Sequence, residues 1–269
     1  MRIDHTRIAV RERSWLDNLD LALHVIRAHA GGLFASALVG VLPMTIINYA
    51  IIDYYYGAGL GEGAGFDAVT LATILVMIEA PLATAPLTLY LGQAMFLEQP
   101  SRKQMARQFV ACLPQLILFQ LIVRTVLIVP ILTWIIPYVL WPYLNEVILL
   151  ERNPLVGHGG QLSTMKRNSL LHHGNGADYV IRGIFAGLLA VVLILALWTT
   201  QSMALNWLLG FDEGWPAQII SLQCVLWLVA VYFTVARFLN YLGQRIRNEG
   251  WEVELYLRAQ RERLTRHVA

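Results

Sequence analysis

Apolar residues in this chain run in blocks too long for a soluble fold to cover. The longest occupies 113–150 and reads LPQLILFQLIVRTVLIVPILTWIIPYVLWPYLNEVILL, with Arg124 its only charge before Glu146. One helical crossing of a bilayer takes about 20 residues. The block therefore predicts two crossings that turn near Val129 and Pro130, and we expect this hairpin to be the centre of the fold. Further blocks at 33–56, 68–97, 179–205 and 216–242 bring the expected crossings to six. Pro43 falls in the first, and Pro81 and Pro86 in the second. Proline removes a backbone hydrogen bond and clashes with the preceding turn, so the second helix should be kinked or locally unwound. In lipid such a break must face protein or a wet cavity.

Between the blocks the pattern becomes amphipathic. Ser14 is placed to cap a helix with Trp15, Leu16, Leu19, Leu23 and Ile26 on one face, and Gly31 and Gly32 are expected to stop it. Asp17 sits at its N3 position, near the positive end of the helix dipole. This helix either lies on the membrane surface or packs as a cytoplasmic helix on other loops. Ser101 and Gln104 have capping-box spacing ahead of Met105, Phe109 and Leu113. A third short helix is expected over 161–173, exposing Lys166 and Arg167 and stopping at Gly174. The expected fold class is all-α: a polytopic integral membrane protein with six transmembrane helices as three hairpins, each preceded by a short amphipathic interfacial helix. The recurrence resembles an internal repeat, although identity between the units is too low to establish one.

Composition agrees: 57% of residues are hydrophobic and 14% charged, against roughly 45–50% and about 25% in average soluble chains. Charge distribution then sets the orientation. Arg2 to Arg27, Arg102, Lys103, Arg107, Arg152, Lys166, Arg167 and the basic residues from Arg237 onward share one side of the topology. The loops 57–67 and 206–215 carry Glu62, Asp67, Asp212 and Glu213 without Lys or Arg. The positive-inside rule places both termini in the cytoplasm, in a multi-pass protein of a bacterial inner membrane. Residues 1–13 read as a flexible cytoplasmic lead, 14–244 as the membrane domain and 245–269 as a charged cytoplasmic tail, helical in pattern. The first apolar run exceeds signal-peptide length and is expected to stay as an uncleaved anchor.

Glu79 and Arg124 are the charges deepest in the apolar spans. Such groups normally have a partner or a wet environment. They form either a polar lining beside the break at Pro81 and Pro86, or a static ion pair, unless Arg124 snorkels outward. Asn48, Asp53, Asn145 and Glu146 are expected near interfaces as solvated or capping groups, and Arg182 can snorkel. His158, His172 and His173 lack an acidic or thiol ligand to complete a metal set, and Cys112 and Cys224 are widely separated. Metalloprotease, hydrolase, Walker A and dinucleotide motifs are missing from the chain, so neither a cofactor nor an enzymatic activity is expected. Arg258, Arg261, Arg263 and Arg266 follow the last crossing, which points to anionic lipid headgroups or topology setting rather than nucleic acid, and the interleaved Glu252, Glu254 and Glu262 make the expected lipid affinity modest.

Two stretches are similar to a known pattern. Val147 to Glu151, followed by Met165 to Ser169, resembles a "V-x-x-E … L-[KR]-R-S" turn; Tyr241 to Gly250 resembles a closing "Y-x-D-x-R-x-R-x-E-G". Both belong to bacterial six-helix proteins resembling the membrane domain of glycerophosphoryl diester phosphodiesterase, although Gly243 stands where that pattern has Asp. The resemblance implies the six-helix fold without hydrolase activity. It also implies that Glu151, Lys166, Arg167, Arg245, Arg247 and Glu249 meet as a cytoplasmic charge cluster, the alternative being unconnected solvated charges. The functional expectation is a non-enzymatic protein that handles a lipid-like or small hydrophobic molecule, or forms the membrane part of a transport or export assembly. The alternatives are a scaffold docking partners through its cytoplasmic turns and tail, and an intramembrane enzyme of unfamiliar type. Expected partners are membrane lipids and other membrane or cytoplasmic proteins; the oligomeric state is not legible.

Overall fold

The computed structural model describes residues 14–57, 67–96, 100–128, 141–155, 157, 162–172, 176–210 and 215–249. Among the described residues every regular element is helical. Ala30–Tyr56, Ala68–Met95, Arg102–Leu127, Ala177–Trp207 and Pro216–Arg247 are each long and apolar enough to cross a bilayer. The chain is a multi-pass helical membrane protein. Outside the described residues lie the lead 1–13, most of the glycine-rich loop, the hairpin turn with residues 129–140, His158, His173, Gly174, the charges Asp212 and Glu213, and the tail from 250.

The first helix, α1 (Trp15–Ala28), starts where expected. Ser14 Oγ accepts from the Asp17 amide and Asp17 Oδ2 accepts from the Ser14 amide, both at 3.1 Å. Its end differs from expectation. The chain turns at His29, and Gly31 and Gly32 already belong to α2 (Ala30–Gly57). These glycines do not end a helix; Gly32 makes room for a neighbour, because a Cβ there would collide with the Tyr90 ring. The apolar face of α1 is also divided. Asn18, Leu19, Ala22 and Val25 are buried, while Leu16 and Leu23 face outward.

The second crossing is broken as its prolines predict. It consists of α3 (Ala68–Ala83) and α4 (Ala85–Phe96), joined by Thr84. Thr84 donates to the Ala80 carbonyl through both its amide (2.9 Å) and its hydroxyl (2.7 Å). Pro86 fits the first turn of α4, where an amide proton is not needed. Asn145 donates to the Pro81 carbonyl oxygen at 3.1 Å, so protein answers the backbone at the break. Across this junction Gly40 of α2 approaches so closely that a Cβ would strike the Ala83 carbonyl oxygen. Gly32, Ser36 and Gly40 form a small-residue stripe at four-residue spacing, which allows close helix crossing in lipid.

The third crossing departs from the expected plan. α5 (Arg102–Leu116) continues through a π-helical stretch, Ile117–Val123, into α6 (Arg124–Ile128) without a break. The amphipathic stretch over 101–112 is therefore the leading part of a crossing, not a separate helix. Its Ser101 cap satisfies the start, and Pro114 lies inside α5, three residues ahead of the π-helical stretch. Of the stretch expected to form the fourth crossing, α7 (Leu144–Glu146) and the π-helical Val147–Glu151 are described. Next come α8 (Thr164–His172), the separate short helix expected there, then α9 (Gly176–Leu209) and α10 (Trp215–Glu249).

The packing centre is α10, not the 113–150 hairpin. α1, α2, α3, α4, α8 and α9 all lie against it. One core joins Leu19, Ala22 and Val25 of α1 to Val235, Phe238 and Leu239 of α10. Another joins Ile52, Ala72, Val76 and Ala83 to Ile219, Leu222 and Leu226. Hydropathy does not mark this centre because lipid tails solvate leucine as well as a neighbouring helix does. α9 shows the point: its most apolar 18-residue window is the most hydrophobic among the five spans, and none of the residues in that window is buried. At 35 residues α10 is also longer than one crossing needs, roughly 52 Å at 1.5 Å per residue, and it continues unbroken past 244.

Candidate functional site

Two polar regions stand out, one inside the apolar bundle and one at the end where α8 meets α10. The inner region begins with three facing helices. On α2, Val41, Met44 and Ile52 face the core shared with α3 and α10, and Asn48 lies in the same helical stripe. On α3 the corresponding stripe is Ala72, Val76 and Ala83, with Glu79 in register. On α10, Ile219 and Leu226 share their stripe with Gln223. Counted from Gly57, Ala68 and Trp215, the ends of their own helices, Asn48, Glu79 and Gln223 lie roughly 12–17 Å along at 1.5 Å per residue.

They are buried: Asn48 and Gln223 are 0% exposed and Glu79 8%. The Asn48 amide lies against the Glu79 carboxyl. Even so, Glu79 Oε2, both amide atoms of Asn48 and both of Gln223 lack a well-formed hydrogen bond among the described residues. Asn48 was expected near an interface; burial against α3 overturns that. Arg124 lies on α6, which packs on α3, and donates to Gln120 Oε1 one turn earlier at 3.3 Å. It is 6% exposed, so it does not snorkel. The polar neighbour the fold gives Glu79 is thus Asn48. Pro81 and Pro86 flank the junction immediately beyond it.

The second region is built on Glu151. Arg167 forks onto its carboxylate, Nε to Oε2 at 2.5 Å and Nη2 to Oε1 at 3.0 Å. The Tyr241 hydroxyl donates to Oε1 at 2.7 Å and Asn153 Nδ2 to Oε2 at 3.1 Å. Arg245 Nε approaches Oε1 to 3.8 Å, with its guanidinium 5.9 Å from the Tyr241 ring centre. Burial pushes the Glu151 carboxyl upward, but the Arg167 and Tyr241 hydrogen bonds and the Arg167 and Arg245 charges hold it below the ordinary range. Arg152, in the left-handed conformation at φ 53°, turns the chain away after Glu151. Gln115 Nε2 then ties the returning loop by donating to Asn153 O at 3.1 Å and Thr164 Oγ1 at 2.7 Å.

One turn deeper, Glu146 meets Arg237 Nε at 2.7 Å. Glu146 is 0% exposed and Asn145 1%, so neither is the solvated group expected from sequence. Asn145 is turned onto the Pro81 carbonyl of α3, and Glu146 is met by α10, which brings Arg237, Tyr241 and Arg245 into line at four-residue spacing along one face.

Of the expected cytoplasmic cluster, Glu151, Arg167 and Arg245 come together. Lys166 and Arg247 are exposed, and nothing is described of the Glu249 side chain. Tyr241, Asn153 and Arg237 were not anticipated as members. Arg182 pairs with Asp178 at 2.5 Å, and Asp53 is exposed as expected. Among the described residues no three His, Cys, Asp or Glu side chains converge as a metal would need. No family model matches the chain, and neither a curated protein nor a solved structure matches it.

Proposed function

We propose that this is a non-enzymatic protein of a bacterial inner membrane that passes a small hydrophobic or lipid-like molecule, alone or within a transport or export assembly. The observation that carries this reading is the buried Asn48–Glu79 contact with its unanswered Oε2, beside a transmembrane helix interrupted at Thr84. Ionisable groups at such depth characteristically line substrate or ion paths, and broken helices accompany binding sites in transporters. The wider reading includes six crossings as three hairpins, both termini cytoplasmic, and kinship with proteins resembling the glycerophosphoryl diester phosphodiesterase membrane domain. The segregated basic residues and the two motif-bearing stretches support it.

A scaffold role is the second reading, favoured by the length of α10 and the exposed Lys166 and Arg247. The two separate on purification of the full chain in lipid-retaining nanodiscs, with mass spectrometry of what accompanies it. Transport predicts a small molecule or single lipid class enriched with the wild type, lost with Glu79→Leu and kept with Lys166→Ala. Bulk lipid alone, with a stoichiometric protein lost from Lys166→Ala, would replace transport by the scaffold reading.

A further inference from the structure

We propose that Glu79 is a proton-carrying site: its carboxyl takes up one H⁺ from one face of the bilayer and releases it to the other as the α3–α4 junction moves. The proposal rests on the transport reading and names the ion that would drive it. The step forms one O–H bond on uptake and breaks the same bond on release, with no other bond changed.

Three observations converge. Among the described residues Glu79 is an acid set beside an apolar core, with Oε2 making no hydrogen bond and one amide, Asn48, laid against the carboxyl. A carboxylate so placed is neutralised by a proton or a bound cation. The carboxyl and one amide offer too few oxygens for a metal ion, which takes six or so, and no acidic or histidine cluster supplements them among the described residues. A proton needs one oxygen.

Of the charged groups on elements packed against α3, Arg124 of α6 donates to Gln120, Arg237 of α10 is bound to Glu146 of α7, Arg245 of α10 lies towards Glu151, and Asp53 of α2 and Arg247 of α10 are exposed. α4 carries no ionisable acid or base except Tyr90. Finally, Glu79 sits five residues ahead of Thr84, the one residue between α3 and α4, with prolines on both sides. The Asn145 bond to Pro81 O holds the junction from the far side. A small change of angle there alters which end of the bundle the carboxyl faces.

The test uses an apolar carbodiimide on the full-length protein in native membranes, read by mass spectrometry of the peptide containing residue 79. The reagent consumes the carboxyl proton and remains as an N-acylurea, so it reports the protonated acid. The expected result is strong labelling at Glu79 in acid that falls about tenfold per pH unit above its midpoint, equally in sodium and choline salts. Glu79→Gln abolishes the label, Asn48→Leu moves the pH at which it is half lost, and Asp53→Asn leaves that pH unchanged. No label at any pH, or label independent of pH, overturns the proposal; protection by sodium overturns it in favour of a metal cation. Labelling reads protonation directly, so a protein that titrates at Glu79 yet carries no solute would sink the transport reading alone.

Discussion

Glu151 and Glu79 are two buried acids in one chain, and the fold treats them in opposite ways. Both oxygens of Glu151 are taken, by an arginine fork, a phenol and an amide, with a second guanidinium close by. Glu79 has one amide beside it and an oxygen with no hydrogen bond among the described residues. A saturated buried acid ties elements together, since removing it strands its partners. An unsaturated one adds little to stability, so its persistence at that depth calls for another explanation. Glu151 holds the 151–164 turn and α8 onto α10. Glu79 holds nothing comparable.

The contrast can be broken at several points. The largest effect is expected where an acid answers a cation below the surface. Glu146→Ala strands Arg237 and should destabilise the protein by about 3 kcal/mol, towards the lower end for a buried pair because Arg237 is partly exposed. The readout is the unfolding midpoint in detergent; an unchanged midpoint would show the pair to be idle.

Next is the pH dependence of Glu151. Its carboxyl is held below the ordinary range, so its contribution is fully present above the unfolded value of about 4.3 and is lost as pH falls through the lower folded value. The stability gap between wild type and Glu151→Gln should therefore be flat from neutral pH down to about 5 and close below about 4. A gap that closed between pH 6 and 8 would contradict the arrangement. The smallest effect belongs to the other side of the comparison. Glu79→Gln should leave the same midpoint within about 1 kcal/mol, and Lys166→Ala within about 0.5 kcal/mol. A large loss on Glu79→Gln would make Glu79 a structural acid like Glu151.

Much of the architecture was legible because its signals are local. Ser14 and Asp17 specify a cap within four residues, and Pro81 and Pro86 announce a break whatever surrounds them. The Gly32–Ser36–Gly40 spacing is equally local, and at Gly32 and Gly40 it serves close approach of a neighbour rather than a helix end. Other features were not available locally. Asn145 and Glu146 resemble interfacial residues when depth is counted along one helix, yet each, like Asn48, is buried against a neighbouring helix. Arg237 and Tyr241 find their acids only because α10 runs past α7 and the π-helical stretch after it with the right face turned towards them.

The chain's own order of residues therefore determined that it is helical, that it enters the bilayer, where the second crossing breaks and which residues can carry charge. Those properties depend on apolar length, backbone donors and solvation, which each segment possesses alone. The tertiary structure decided that α10 is the packing centre, that Glu151 is saturated and that Glu79 is left beside a single amide. In lipid, helices choose neighbours by close fit and by polar groups meeting across helices, and neither can be measured along one helix.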